Sequence, residues 1–161
     1  NMKNCAGAAA VIARKAGIFG MVGGQSLDVL LTDKPVNEKE MEFIFNLKTG
    51  ALIEAAFMAG AILAGAGKEC VSQLEKAGNL VGVAFQIKDD ILDVTSTQEV
   101  LGKPVFSDEK NNKTTYVTLY GMEKAAADVE NMSEKAESIV KSIGDNEFLI
   151  ELINKLISRE K

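Results

Sequence analysis

Apolar residues recur along this chain at intervals of three and four, the period of an α-helix, and strand-like alternation is nowhere sustained. The pattern predicts an all-α chain. A first helical run spans about Asn4 to Leu31 and carries Gly7, Gly17, Gly20, Gly23 and Gly24. Glycines weaken an isolated helix, so their expected use is to let a neighbouring helix or a ligand approach closely. The segment TDKPVNEKE breaks the run at Pro35, and Asn37 with Glu40 forms a capping box for the next one. That second run extends from Glu38 to about Ala66, with Gly67 as its stop.

A third run covers about Glu69 to Ser96. The stretch TSTQEVLGKPVFSDEKNNKTT follows, and its Gly102, Pro104, Ser107, Asp108, Asn111 and Asn112 predict a long ordered loop. Loops of that length in compact domains often serve function. TYVTLYG reads as a short helix and Met122 to Ile143 as a charged amphipathic helix stopped by Gly144. Asp145 or Asn146 then caps a last helix ending near Lys161.

Composition sharpens this picture. The 161 residues suit one all-helical domain over 1–161. Hydrophobic residues make up 47% before the 14 glycines are added. Ordinary domains reach roughly 45–50% with glycine included, so some helices should be buried on more than one side. The net charge is −5 without a dense basic run, which argues against nucleic acid as a partner. Histidine is absent, which excludes His-dependent triads and His-ligated zinc. Cys5 and Cys70 show no metal or redox spacing and read as reduced thiols. There is no signal peptide and no run of about 20 uninterrupted apolar residues, so the expectation is a soluble, cytoplasmic protein without stable membrane insertion. Asn1 ahead of Met2 reads as a tag remnant before a start codon.

The chemistry concentrates in AFQIKDDILDV. At about 100° per residue, Asp89, Asp90 and Asp93 fall within roughly 60° of Gln86 on a helical wheel, with Gly82 beside them. Leu80, Ala84, Ile87 and Ile91 form a separate face, and Val81, Phe85 and Leu92 fill the remaining side. A helix apolar on most sides is an interior helix, so its acidic stripe should line a cavity. Three carboxylates there would repel one another without a counter-charge, and a hard divalent cation such as Mg²⁺ supplies one. The other open reading is a solvated acidic helix end.

Companion residues point the same way. FNLKTGALIEAAF sets Lys48 and Thr49 among apolar neighbours, where a lysine either snorkels to solvent or meets an anion. GMVGGQSLDVL puts Gln25 and Asp28 on one face, as a core pair, a helix-end cap or part of a site. LGKPVFSDEKNNKTTY brings Lys103, Asp108, Lys110 and Lys113 into the long loop. Carboxylates for a metal, lysines for phosphate and apolar helix walls together suit a diphosphate carried on a hydrocarbon.

In order and separation, GGQSLD, KTGALI, FQIKDDILD and LGKPVFSDEKNNKTTY resemble the trans-polyprenyl diphosphate synthases, closest to the bacterial farnesyl and geranylgeranyl (geranyltranstransferase) type. The resemblance covers nearly the whole chain. It implies an isoprenoid-synthase-type helical bundle around a deep cavity, with two aspartate-rich helices holding Mg²⁺. DDILD matches the second such motif, with Asp89 the direct ligand and Asp90 and Asp93 its supports. Lys48, Lys103 and Lys113 match residues that grip a diphosphate, and Thr49 and Gln86 match residues near a developing carbocation. The implied reaction joins an allylic diphosphate to isopentenyl diphosphate. Nothing in these residues matches the family's first aspartate-rich motif, so the chain corresponds to the C-terminal half. Two expectations follow: little or no activity alone, and a homodimer, with helix swapping as one route. The alternative is a non-catalytic subunit or remnant acting as a helical interaction module.

Overall fold

The computed structural model describes residues 1–95 and 114–159, and among these every regular element is helical. In chain order they are α1 (Met2–Ala16), α2 (Met21–Leu30), α3 (Glu38–Phe45), a single π-helical turn (Asn46–Gly50), α4 (Ala51–Leu63), α5 (Lys68–Thr95), α6 (Tyr116–Tyr120), α7 (Met122–Ile143) and α8 (Glu147–Ser158). The predicted capping box is present: Asn37 Oδ1 accepts from Glu40 N at 3.1 Å, and Asn37 N donates to Glu40 Oε2 at 2.9 Å.

Three boundaries differ from the sequence pattern. The first run is two helices, because the backbone turns at 17–20 and brings Gly20 against the carbonyl of Lys15, where no Cβ would fit. The second run is interrupted by the π turn and stops at Leu63, with Gly65 rather than Gly67 taking the left-handed conformation at φ +81°. Asn146 precedes α8 but makes no side-chain cap to it. Its amide instead donates to the carbonyls of Val140 and Gly144 at the end of α7.

α5 is the axis of the bundle. It packs against both α4 and α7, while α1 packs on α4 and α8 closes against α7 and α5. Ala77, Val81, Ala84 and Ile87 are fully buried, as expected of a helix apolar on most sides. Val140 of α7 and Ile153 of α8 are equally buried and join the same core.

The outer layer is different. Met2, Ile12, Ile18, Phe19, Val22, Val29 and Leu30 are exposed on α1, α2 and the turn between them. Met2–Leu30 and Glu38–Leu63 are each long and apolar enough, by length and composition, to cross a membrane. Neither runs as plain helix: the first breaks at 17–20, and the second carries the π turn and the buried Glu54. Both cysteines are free, and Cys5 is exposed rather than packed.

The helix contacts are close enough to depend on missing side chains. A Cβ on Gly82 would come within 2.5 Å of Gly50 Cα, whereas a Cβ on Gly60 would meet nothing within 4 Å. Gly82→Ala should therefore destabilise the bundle by about 1–3 kcal/mol through overpacking. Gly60→Ala should leave stability unchanged or raise it by about 0.5–1 kcal/mol. Paired thermal melts followed by circular dichroism read both, and equal melting temperatures for the two variants would contradict the packing argument.

Candidate active site

The π turn is the local feature that builds the site. It is held from two sides by glycine contacts. On one side Gly24 of α2 lies so near that a Cβ there would fall 2.4 Å from the backbone nitrogen of Lys48. On the other, Gly82 of α5 meets Gly50. A π turn adds a residue to the local helical repeat, which redirects the side chains it carries, and such turns are frequent at functional sites. Here it carries Lys48 and Thr49.

Both side chains find partners across the helices. Lys48 Nζ donates to Asp28 Oδ2 at 2.6 Å, and Thr49 Oγ1 donates to Gln86 Oε1 at 3.0 Å. Lys48, Asp28, Gln86, Asp90 and Thr114 line one small cavity of about 30 Å³, whose apolar wall includes Leu31, Val36, Met41 and Phe45. The structure thus gathers four sequence-predicted positions, Lys48, Thr49, Gln86 and Asp90, into one neighbourhood. Asp28 joins them through Lys48 and not as a helix cap.

The three aspartates of DDILD do not behave alike. Asp90 is 6% exposed, and its Oδ2 accepts the backbone N–H of Tyr116 at 2.7 Å, which ties α6 to α5. Tyr116 is held in turn by its hydroxyl, which donates to Asp128 Oδ2 at 2.6 Å, so burial and that carboxylate push the phenol well above its ordinary pKa. Asp93 is 3% exposed. Asp89 is the accessible one, with its side chain 38% exposed and its Oδ1 accepting from Arg159 Nη2 at 2.6 Å. Among the described residues no group of three or more His, Cys, Asp and Glu side chains is arranged to hold a metal ion. The donor chemistry still fits magnesium, which takes hard oxygen ligands and is commonly held by one or two carboxylates with phosphates and water. Asp89 offers one such carboxylate, not a closed cage. Lys103 and Lys113, with Asp108 and Lys110, lie outside the described residues.

Sequence reasoning missed a second polar cluster behind the π turn. Lys15 Nζ donates to Glu54 Oε2 and, at 2.7 Å, to Glu75 Oε1. Asn79 Nδ2 donates to Glu54 Oε1 at 2.7 Å and to Asn46 Oδ1 at 2.9 Å. Asn46 opens the π turn, so this network ties α1, α4 and α5 to the segment carrying Lys48. The available signal was a set of lone polar residues at apolar positions of separate helices. Arg159, near the end of the chain, was missed as well.

Two solved structures define the class of this fold. Geranylgeranyl pyrophosphate synthetase from Pyrococcus horikoshii superposes with a TM-score of 0.85 at 26% identity, covering 98% of this chain and 60% of that one. A Helicobacter pylori geranyltransferase, solved with magnesium and isoprenyl diphosphate, superposes with a TM-score of 0.81 at 28% identity, covering 98% and 52%. The fold is that of the isoprenoid synthases. The polyprenyl synthetase family profile matches residues 2–153, and the chain belongs to that family. Among curated relatives, farnesyl diphosphate synthase of Escherichia coli is 37% identical over 155 residues, which cover 93% of this chain and 52% of that protein. Geranylgeranyl diphosphate synthase of Cyanophora paradoxa is 40% identical over 129 residues, covering 80% and 43%. The chain spans about half the length of these relatives.

The network behind the π turn makes a stability prediction with a pH sign. Burial works to lower the pKa of Lys15, but its hydrogen bonds to Glu54 and Glu75, and their charges, outweigh this and raise it above 10.5. A raised folded-state pKa stabilises fully below the ordinary value, and that contribution is lost as pH climbs through the folded value. Lys15→Met would leave the buried Glu54 with the Asn79 amide but no cation, and should cost about 3 kcal/mol at neutral pH, the lower end for breaking a buried pair. Urea melts across pH 7–12 should show the native protein losing stability above pH 10.5 more steeply than Lys15→Met, and parallel curves would refute the assignment.

Proposed function

We propose that this chain forms one wall of a prenyltransferase active site that condenses an allylic diphosphate with isopentenyl diphosphate. The observation that carries the reading is the convergence of Lys48, Asp28, Gln86 and Asp90 on one cavity, beside Thr49, in a polyprenyl synthetase family member. Lys48 is the diphosphate contact on this wall. Asp28 holds its ammonium in place, and a diphosphate oxygen entering the cavity takes over that partnership. Lys103 and Lys113 are proposed as further diphosphate contacts. Asp89, supported by Asp90 and Asp93, is the proposed carboxylate for Mg²⁺, which when bound would supply charge to offset the departing diphosphate.

The reaction breaks the allylic C–O bond with departure of diphosphate. The double bond of isopentenyl diphosphate forms the new C–C bond, and the resulting cation loses a proton to the departed diphosphate to restore an alkene. Lys48 stabilises the leaving oxygen. Thr49 has its hydroxyl proton directed at Gln86, so its oxygen lone pairs remain available to face the positive carbon. The apolar wall of Val36, Met41 and Phe45 keeps water from that carbon.

With Mg²⁺ present, inorganic pyrophosphate should bind this chain measurably in a calorimetric titration. Lys48→Met should weaken that binding by about tenfold, the loss of one charged hydrogen bond. Unchanged affinity would remove Lys48 from the site. A radiolabelled condensation assay with isopentenyl and dimethylallyl diphosphates should give little product from this chain alone, since one wall cannot neutralise a diphosphate as two do. Turnover at the level of its longer relatives would overturn that.

The exposed apolar layer of α1 and α2 also supports self-association, as a homodimer in which helix exchange is one route. Multi-angle light scattering should return twice the 17.2 kDa chain mass. A monodisperse monomer would dismiss the dimer.

A further inference from the structure

Arg159, the first residue beyond α8, is held by more contacts than a surface arginine needs. Its Nε donates to the carbonyl of Leu156 at 3.1 Å, and its Nη2 donates to the carbonyl of Phe85 at 3.1 Å. Its guanidinium stacks over the Phe85 ring, 3.6 Å from the centroid. The side chain is only 19% exposed, less than that of Asp89. Phe85 and Asp89 are four residues apart on α5 and so share a face, which makes the aromatic ring a platform aiming the cation at the carboxylate. Two carbonyls and a ring fix the guanidinium before Asp89 is considered, so little rotamer entropy is lost in making the pair. That distinguishes it from an ordinary exposed ion pair.

Asp89 is also the most accessible acid of DDILD, and the acids beside it, Asp90 and Asp93, are nearly fully buried. A divalent cation on its carboxylate would sit within a few ångströms of the guanidinium, where like charges repel. We propose that Arg159 is a resident counter-cation for Asp89, which a divalent metal must displace to bind. The inference rests on the reading of Asp89 as the metal-facing carboxylate. Arg159 then sets the metal affinity of the acidic helix, and metal entry breaks its pair with Asp89.

The test is direct metal binding to the chain, read as loss of the free Mn²⁺ signal in an electron paramagnetic resonance titration. Arg159→Ala should bind Mn²⁺ about three- to tenfold more tightly than the native chain, the range set by losing one partly exposed ion pair. Arg159→Gln keeps a hydrogen-bonding side chain without the charge and should tighten binding similarly, which covers the case in which the alanine variant misfolds. Adding Asp89→Asn should abolish the gain. If the Arg159 variants bind Mn²⁺ unchanged or more weakly while Asp89→Asn weakens binding, the metal reading stands and the counter-cation falls. If no substitution at either position alters binding, the metal reading falls and the counter-cation with it.

Discussion

Backbone-to-backbone contact between helices is the constraint on which the rest of this molecule depends. α2 and α5 approach the Asn46–Gly50 turn so closely that glycine is required at Gly24 and Gly82. That closeness sets where Lys48 and Thr49 can point, because a π turn held on both sides cannot relax into plain helix without displacing a neighbour. The Lys48–Asp28 and Thr49–Gln86 pairs are consequences of it. An apolar seam of ordinary side chains at the usual helix spacing would keep these groups apart.

A second theme is how an acid-rich interior is kept stable. Among the described contacts, four of these acids meet different kinds of partner, set by what packs near them. Glu54 is met by an ammonium and an amide, Asp28 by Lys48, Asp90 by a peptide N–H, and Asp89 by a stacked guanidinium. The partners of Glu54 and Asp90 tie helices together and belong to the fold. Those of Asp28 and Asp89 are side-chain cations, Lys48 on the π turn and Arg159 just beyond α8.

The chain belongs to the polyprenyl synthetase family over nearly all its length, yet it spans about half of its curated relatives. α5, α7 and α8 share the buried core, whereas several large apolar side chains of α1 and α2 face outward, as does Phe148 of α8.

Periodicity alone determined the helical class, the caps at Asn37 and Gly144, and the interior character of the helix bearing DDILD. These follow from which residues want burial and which φ/ψ they tolerate, and both are local properties. Motif order also carried the family. Tertiary structure decided the break at Gly20, the π turn, the Asn79 and Lys15 network, and the separate fates of Asp89, Asp90 and Asp93. A helical wheel treats those three acids as one stripe. Asp89 and Asp90 diverge because Arg159 and α6 arrive from distant parts of the chain to different sides of the same helix, and no local pattern encodes where a distant segment will land.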